Sequence, residues 1–332
     1  MIQILRVSIF FYLWLLLPHT TFGAEKISCR EKKVLICGVC RDVAQSVPTT
    51  IMNIERLGRN FNDYAVIIYE NNSKDATATL LKQWAEKNNK VIFMSEIRTQ
   101  SQLLEGVRCH DFNGASSRME RIAYARNRLL TVAREERFDD FDYLIMADLD
   151  FNKPWSIKAI VETIEKIKDW DCITANGVLP NGNYYDKFAF RNADFPFGPE
   201  LLGENWWFGI GPGSFKLEGS SLVPVYSAFG GLAIYKRKTI INFSYYGYVT
   251  DDLRADFEAI LPSIPVSHPH IQKYLQMNGI AASRFPSVPI QFCNNSGYYN
   301  YPVCCEHITL HASMRRHGFG KIYINPKIRM RY

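Results

Sequence analysis

A chain of 332 residues, 47% of them hydrophobic, is long enough to bury a large core as one domain or two coupled ones. Its net charge of +6 is mild for that length, and Lys and Arg are spread without dense runs. That distribution argues against a nucleic-acid partner and suits small phosphorylated ligands.

The N-terminus reads as a targeting segment. Arg6 precedes an apolar run over 7–17, and Pro18 and Thr21-Phe22-Gly23 lead into Ala24. The run is short for a membrane span, so 1–23 is expected to be a cleaved secretory signal. A short uncleaved type II anchor is the alternative, and the only membrane attachment expected. In both cases the remainder faces the secretory lumen (ER or Golgi) or the exterior. Eight cysteines, an even number, fit an exported chain with some disulfides, without fixing the pairs. Asn71, Asn242 and Asn294 open N-x-Ser sequons.

A first strand is predicted over 34–40, with Arg41 and Asp42 at its carboxyl end and a helix over 46–56. Cys37 and Cys40 form a C-x-x-C, but inside an apolar strand and not at a helix start. They read as buried thiols or ordinary disulfide partners before a redox pair. A second strand over 64–69 runs into Glu70-Asn71-Asn72-Ser73-Lys74-Asp75. A helix over 76–87 follows, with Asp75 as its N-cap, and a third strand over 90–94. Strands alternating with helices imply a parallel sheet.

The next helix, over 117–134, carries Arg118, Arg121, Arg126 and Arg128, while Ile122, Ala125, Leu129 and Val132 share an apolar face. A solvated basic face is the plain reading of any one arginine. As a group leading into an acidic pair, one or two of them, Arg126 first, are candidates to contact a nucleotide or support its loop.

The acidic pair lies in 141–150. Its apolar run over 143–147 reads as a buried strand that stops at Asp148 and Asp150, spaced i, i+2, before Pro154 and a helix over 154–168. Two carboxylates at the carboxyl edge of a parallel sheet sit where open α/β folds place ligands. They repel each other unless a cation or a ribose hydroxyl shares them. Oxygen ligation of this kind suits Mg²⁺ or Mn²⁺, completed by water and a substrate diphosphate. The plain alternative is a helix cap at Asp150 and a solvated Asp148.

A further strand is predicted over 172–178. The region 179–222 then turns rich in Gly, Pro, Asn and aromatics, including Tyr184, Tyr185, Phe188, Trp206, Trp207 and Phe208. So long a loop usually carries function. Its aromatics suit either stacking on sugars or packing beneath the loop. Gly230 and Gly231 run into a strand over 226–235, as where backbone approaches a ligand closely or where a strand bulges. An acidic segment over 248–258 reads as a solvated helix face. The last helix opens at Cys304-Cys305-Glu306 and places His307 and His311 on one face, a spacing that can ligate metal. Without a His-Glu-x-x-His order it is no zincin, although a structural zinc on Cys304, Cys305 and the histidines is conceivable. A closing strand is predicted over 321–330.

Five ordered pieces carry a family likeness: Tyr69-Glu70-Asn71-Asn72-Ser73-Lys74-Asp75, Ala125-Arg126-Asn127 before Asp148-x-Asp150, Tyr185-Asp186-x-Phe188-Ala189-x-Arg191, Gly230-Gly231, and Cys304-Cys305-Glu306 before Asn325-Pro326. From about 34 to 329 the chain resembles the fungal capsule-associated α-1,3-mannosyltransferases, and more distantly the yeast mannan-polymerase mannosyltransferases. The resemblance implies an α/β nucleotide-diphospho-sugar transferase fold of the GT-A type, with a mostly parallel central sheet flanked by helices. It also implies one transferase domain over 24–332, with a nucleotide-binding half at 24–180 and a sugar-handling half at 181–332. The substrates implied are a nucleotide sugar, GDP-mannose by analogy, and a glycan acceptor, with Mn²⁺ or Mg²⁺.

By the same analogy Arg41, the Glu70-Asn71 loop and Arg126 serve the nucleotide, and Asp148 and Asp150 hold ribose and metal. Gly230 and Gly231 flank the donor sugar. Glu306 sits at the reacting centre beside the catalytic Asp150, with His307 or His311 as a third metal ligand. The full Asp-x-Asp departs from the weaker acidic motif typical of that family and leaves the donor open. Two other classes fit parts of the sequence: a glycan-binding protein on an inactive transferase fold, and a zinc-dependent hydrolase built on the Cys304–His311 cluster.

Overall fold

The structure is a computed structural model describing residues 27–110, 114, 117–288, 290–293 and 302–331. The expected leader over 1–23 and the Asn294 sequon lie outside the described residues. Elements follow in the order β1 (Lys33–Cys40), α1 (Val47–Gly58), β2 (Asp63–Asn71), α2 (Thr77–Lys87), β3 (Val91–Glu96), α3 (Gln100–Leu104), α4 (Arg118–Ala133), β4 (Tyr143–Asp148), α5 (Ile157–Lys166) and β5 (Cys172–Val178). Then come α6 (Pro199–Leu202), β6 (Val223–Pro224), β7 (Leu232–Lys236), α7 (Arg237–Ile240), α8 (Asp251–Ile260), α9 (Pro269–Met277), α10 (Glu306–Arg316) and β8 (Ile322–Arg331).

One eight-stranded sheet, in the order β3-β2-β1-β4-β7-β5-β8-β6, runs through the molecule. Its first four strands pair in parallel, as the strand–helix alternation required. The second half is mixed, because β7 enters antiparallel between β4 and β5. Side chains alternate between two cores. Leu35, Cys37, Ile67, Tyr69, Leu144 and Met146 pack with α4, α8 and α10. Val34, Ile36, Val66, Ile68, Ile145 and Ala147 pack on the other face with α1, α2 and α5. Burial on both faces explains why these strands read as continuous apolar runs.

β2 lies on one side of β1 and β4 on the other, so the chain reverses its direction of travel across the sheet at β1 and β4. A ligand crevice is expected outside the carboxyl ends at such a reversal. Among the described residues no helix is long and apolar enough to cross a membrane.

Sequence reading overlooked α9, whose His268-Pro269 start is followed by an apolar face carrying Ile271, Tyr274 and Leu275. It also expected disulfides, whereas all eight cysteines are free. Cys37 is buried in β1, and burial pushes its thiol far above the ordinary range, so the C-x-x-C is not poised for redox chemistry. Asp75 is not the cap residue itself; its carboxylate accepts from the Thr77 and Ala44 amides, tying α2 to the β1–α1 loop.

Candidate functional site

The turn after β4 is shaped from below. Leu149, between the two acids, is buried, and a Cβ at Gly38 of β1 would lie 2.6 Å from its side chain. Only glycine there leaves room for Leu149, whose burial turns Asp148 and Asp150 away from the core. From the α1 side, Ser46 Oγ and Thr50 Oγ1 donate to the Asp150 and Leu149 carbonyls, both at 3.0 Å. Asn53 Nδ2 donates to the Lys153 carbonyl. Turn carbonyls that helix geometry leaves unpaired are thus satisfied by one polar stripe.

Above the turn opens a cavity of about 740 Å³, lined by residues from the β1 turn, α4, the β4 turn, loop 179–222 and the start of α10. Arg126 forms its floor. Its Nη2 donates to Asp148 Oδ1 at 2.9 Å and its Nε to Glu306 Oε1 at 3.1 Å. The guanidinium is almost wholly buried, stacked 4.6 Å over the Phe229 ring, and its Nη1 has no partner. Asn127 completes the frame, exchanging hydrogen bonds with the Tyr245 backbone in both directions.

One buried cation faces four carboxyl groups of the cavity: Asp148, Asp150, Asp186 and Glu306. The electrostatics show the imbalance. Burial first, and then the Asp148 carboxylate, push Asp150 up to about 6. Asp150 remains open to the cavity solvent, which screens part of that shift. Burial also pushes Asp186 up to about 6, with Glu306 and Asp148 adding to it and the Gly230 N–H at 3.0 Å opposing it. Such a set is incomplete without further positive charge.

The family model described as Cryptococcal mannosyltransferase 1 matches residues 33–289, well over half of the chain. The chain belongs to this family of glycosyltransferases. No curated protein matches the sequence. Similar solved structures include the mannosyltransferase PcManGT of Pyrobaculum calidifontis in complex with GDP-Man and Mn²⁺ (12% identity, TM-score 0.37, 67% of this chain and 50% of that one). Another is GalNAc-T7 with UDP, GalNAc and Mn²⁺ (11%, 0.40, 91% and 44%). A third is glucosyl-3-phosphoglycerate synthase from Mycobacterium tuberculosis with Mn²⁺, UDP and glucosyl-3-phosphoglycerate (10%, 0.38, 90% and 70%). The chain spans half the length of the Pyrobaculum protein. Likenesses this distant assign no residue a role.

Within this family member, the structure brings together Arg41, Asn71, Arg126, Asp148, Asp150, Glu306 and His307, all of which line the cavity. Arg126 holds the Glu306 and Asp148 carboxylates at the cavity floor. His307 is buried, stacked on Phe229 at 3.8 Å, and both of its ring nitrogens lack a hydrogen-bond partner. Burial, and then Arg126, hold its pKa well below the ordinary value, so the ring is neutral. An Asn71 glycan would occupy the cavity that Asn71 lines, which argues against modification there.

Four expected residues lie elsewhere. His311 is not beside the acids: Ser227 Oγ and Tyr235 Oη each lie 3.0 Å from one of its ring nitrogens, so neither is free for a metal. Glu70 points under its loop, accepting from Ser73 N–H at 2.7 Å and Ser95 Oγ at 2.6 Å. These bonds shape the Asn71 turn. Gly230 and Gly231 are required by packing: both have positive φ, of 64° and 90°. A Cβ on Gly230 would strike the Ala175 carbonyl, and one on Gly231 the Phe151 ring. Nor does the Cys304–His311 cluster gather into a zinc site, since among the described residues no three His, Cys, Asp or Glu side chains converge on one ion.

The cavity residue that sequence reasoning did not single out is Asp186. It sat within the Tyr185-Asp186-x-Phe188 piece, but nothing local distinguishes it from a loop carboxylate. Only the long-range contact with Gly230 brings it beside Glu306.

Proposed function

We propose that the chain transfers a sugar, mannose by family likeness, from a nucleotide-diphosphate donor to a glycan acceptor, and that a divalent cation assists. The observation that supports this most is the cluster of carboxylates around Asp148 and Asp150 at the carboxyl edge of β4, in an open cavity rimmed by Arg41, Arg118, Arg121 and Lys187. Acid at the floor and cations at the rim suit a metal–diphosphate ligand, whose charges are opposite in the same sense.

The residues present fit a hard divalent ion. Asp150 and Asp148 offer carboxylate oxygen, and among the described residues no third His, Cys, Asp or Glu side chain converges with them. A site without a full protein cage leaves positions for water and phosphate oxygens, as Mg²⁺ and Mn²⁺ sites at nucleotides commonly do. When bound, the ion supplies positive charge against the leaving diphosphate. The rim arginines orient and neutralise the phosphates. Arg126 Nε donates to Glu306 Oε1 and the Cys305 thiol to Oε2, which fixes the carboxylate's orientation where it lines the cavity. There it stabilises positive charge developing on the sugar, or accepts the acceptor hydroxyl's proton. Asp186 is a second carboxyl in the same cavity, and burial raises its own proton affinity.

A nucleotide-sugar panel against the purified chain, with and without Mn²⁺, tests the reading. Consumption of one donor only with metal is expected. Failure to bind or consume any donor would refute it.

A further inference from the structure

The rim of the cavity changes character where loop 179–222 forms it. The β1 turn and α4 supply arginines, whereas the loop supplies mostly aromatic rings beside Lys187 and Asp186. Trp206–Ile210 is a single π-helical turn, a geometry that collects at functional sites. It buries Trp206 and leaves Trp207 and Phe208 with 51% and 87% of their surface exposed. Trp207 is not loose. It stacks on Phe188 at 5.6 Å and 25°, and meets Trp206 edge-on at 4.6 Å and 90°. Tyr185, 45% exposed, stands on the same rim. Trp207, Phe188 and Tyr185 line the cavity that holds Asp150 and Glu306, so this apolar patch is continuous with the proposed reaction centre.

Leaving rings of this size in water forfeits the burial that stabilises other aromatics of the same loop, such as Trp206 and Phe197. Exposed apolar surface next to a polar cavity marks a ligand contact more often than a packing accident. The ligand chemistry can be narrowed. A diphosphate has no use for a ring face, and a nucleotide base needs no position at the loop edge of the cation-lined end. A pyranose has one face of C–H groups, whose weakly positive hydrogens match the negative face of an aromatic ring, and a periphery of hydroxyls. Lys187 adjoins Tyr185 in sequence and lines the same cavity, a donor suited to those hydroxyls.

We infer that Trp207, braced by Phe188 and flanked by Tyr185, is the acceptor-sugar subsite, selecting a pyranose by stacking. The inference rests on the transferase reading above. It accounts for an aromatic rim that donor binding alone leaves without a role.

The test uses the full chain, the donor that the panel identifies, and the methyl α-glycosides of mannose, glucose, galactose and xylose as acceptor probes. For Trp207→Ala the ratio of acceptor KM to donor KM rises about tenfold, the scale of one lost ring contact, while Trp207→Phe stays near the wild type. Saturation-transfer NMR on the wild type shows contact from aromatic protons to the glycoside ring, weakened in Trp207→Ala. An unchanged KM ratio overturns the assignment, as does an equal rise in both constants. So does wild-type protein that neither accepts nor contacts any of the four glycosides. Loss of sedimentation with phosphatidylcholine–phosphatidylserine vesicles in Trp207→Ala, with the KM ratio intact, overturns it in favour of a membrane-facing rim. If no donor is turned over but the glycoside contact at Trp207 is present, the transferase reading fails and the sugar subsite stands.

Discussion

Two arginines occupy nearly the same sequence setting, Ala125-Arg126-Asn127 and Phe190-Arg191-Asn192, and both are almost wholly buried. Arg191 gives Nε and Nη2 to Glu200, the latter at 2.8 Å, and Nη1 to the Phe188 and Phe190 carbonyls. Every nitrogen is used, the pair is neutral, and both side chains are almost wholly buried. Arg126 divides itself between Asp148 and Glu306 and keeps Nη1 unpartnered beneath an open cavity whose acids outnumber it. Burial is the same in both; satisfaction is not. A closed neutral pair pins the aromatic loop in place, whereas a cation outnumbered by its carboxylates marks where a positively charged ligand completes the structure.

The sharpest way to break this contrast is Asp150→Ala. Because Asp150 is exposed to the cavity, the variant folds as the wild type does, while sugar transfer falls by roughly three orders of magnitude. Undiminished Mn²⁺-dependent turnover would remove Asp150 from the chemistry.

Next come the arginines themselves. Arg191→Met strands Glu200 in the core and is expected to cost about 3–5 kcal/mol in urea unfolding, with no response to Mn²⁺. Arg126→Met strands two carboxylates at a site open to cations, so added Mn²⁺ recovers part of its lost stability. Equal Mn²⁺ responses in the two variants would erase the distinction drawn here.

A smaller effect concerns Asp186. Its folded pKa of about 6 lies above the ordinary aspartate value of 3.8, so the neutral form is the one folding favours. The associated stability is fully present below pH 3.8 and is lost as pH rises through about 6. Asp186→Asn flattens that part of the stability–pH curve, by on the order of 1 kcal/mol after solvent screening. Unfolding curves of wild type and variant that stay parallel from pH 4 to 7 would show that Asp186 is not held in this way.

The smallest expected effect is Glu70→Gln. It weakens the bonds to Ser73 and Ser95 by about 1 kcal/mol and leaves donor KM within a few-fold of wild type. A large rise in donor KM would return Glu70 to the nucleotide.

What the sequence by itself determined is local. Apolar runs over 34–40, 64–69 and 143–147, separated by amphipathic helices, specify the parallel half of the sheet, because a strand buried on both faces admits little else. The acid pair was legible for the same reason: a strand that ends in Asp148 and Asp150 must deliver them to the sheet's carboxyl edge. Tertiary structure decided the rest. Helical spacing put His307 and His311 on one face of α10, yet only packing could give His311 to Ser227 and Tyr235 and leave His307 at the cavity. Likewise a Gly pair announces backbone that approaches something closely, and here the partner proved to be Ala175 and Phe151. Whether a side chain is already satisfied depends on contacts between residues far apart in the chain, as when Arg126 meets Glu306 or Asp186 meets Gly230. No spacing along the chain encodes those contacts; they exist only once the sheet has brought its strand ends together.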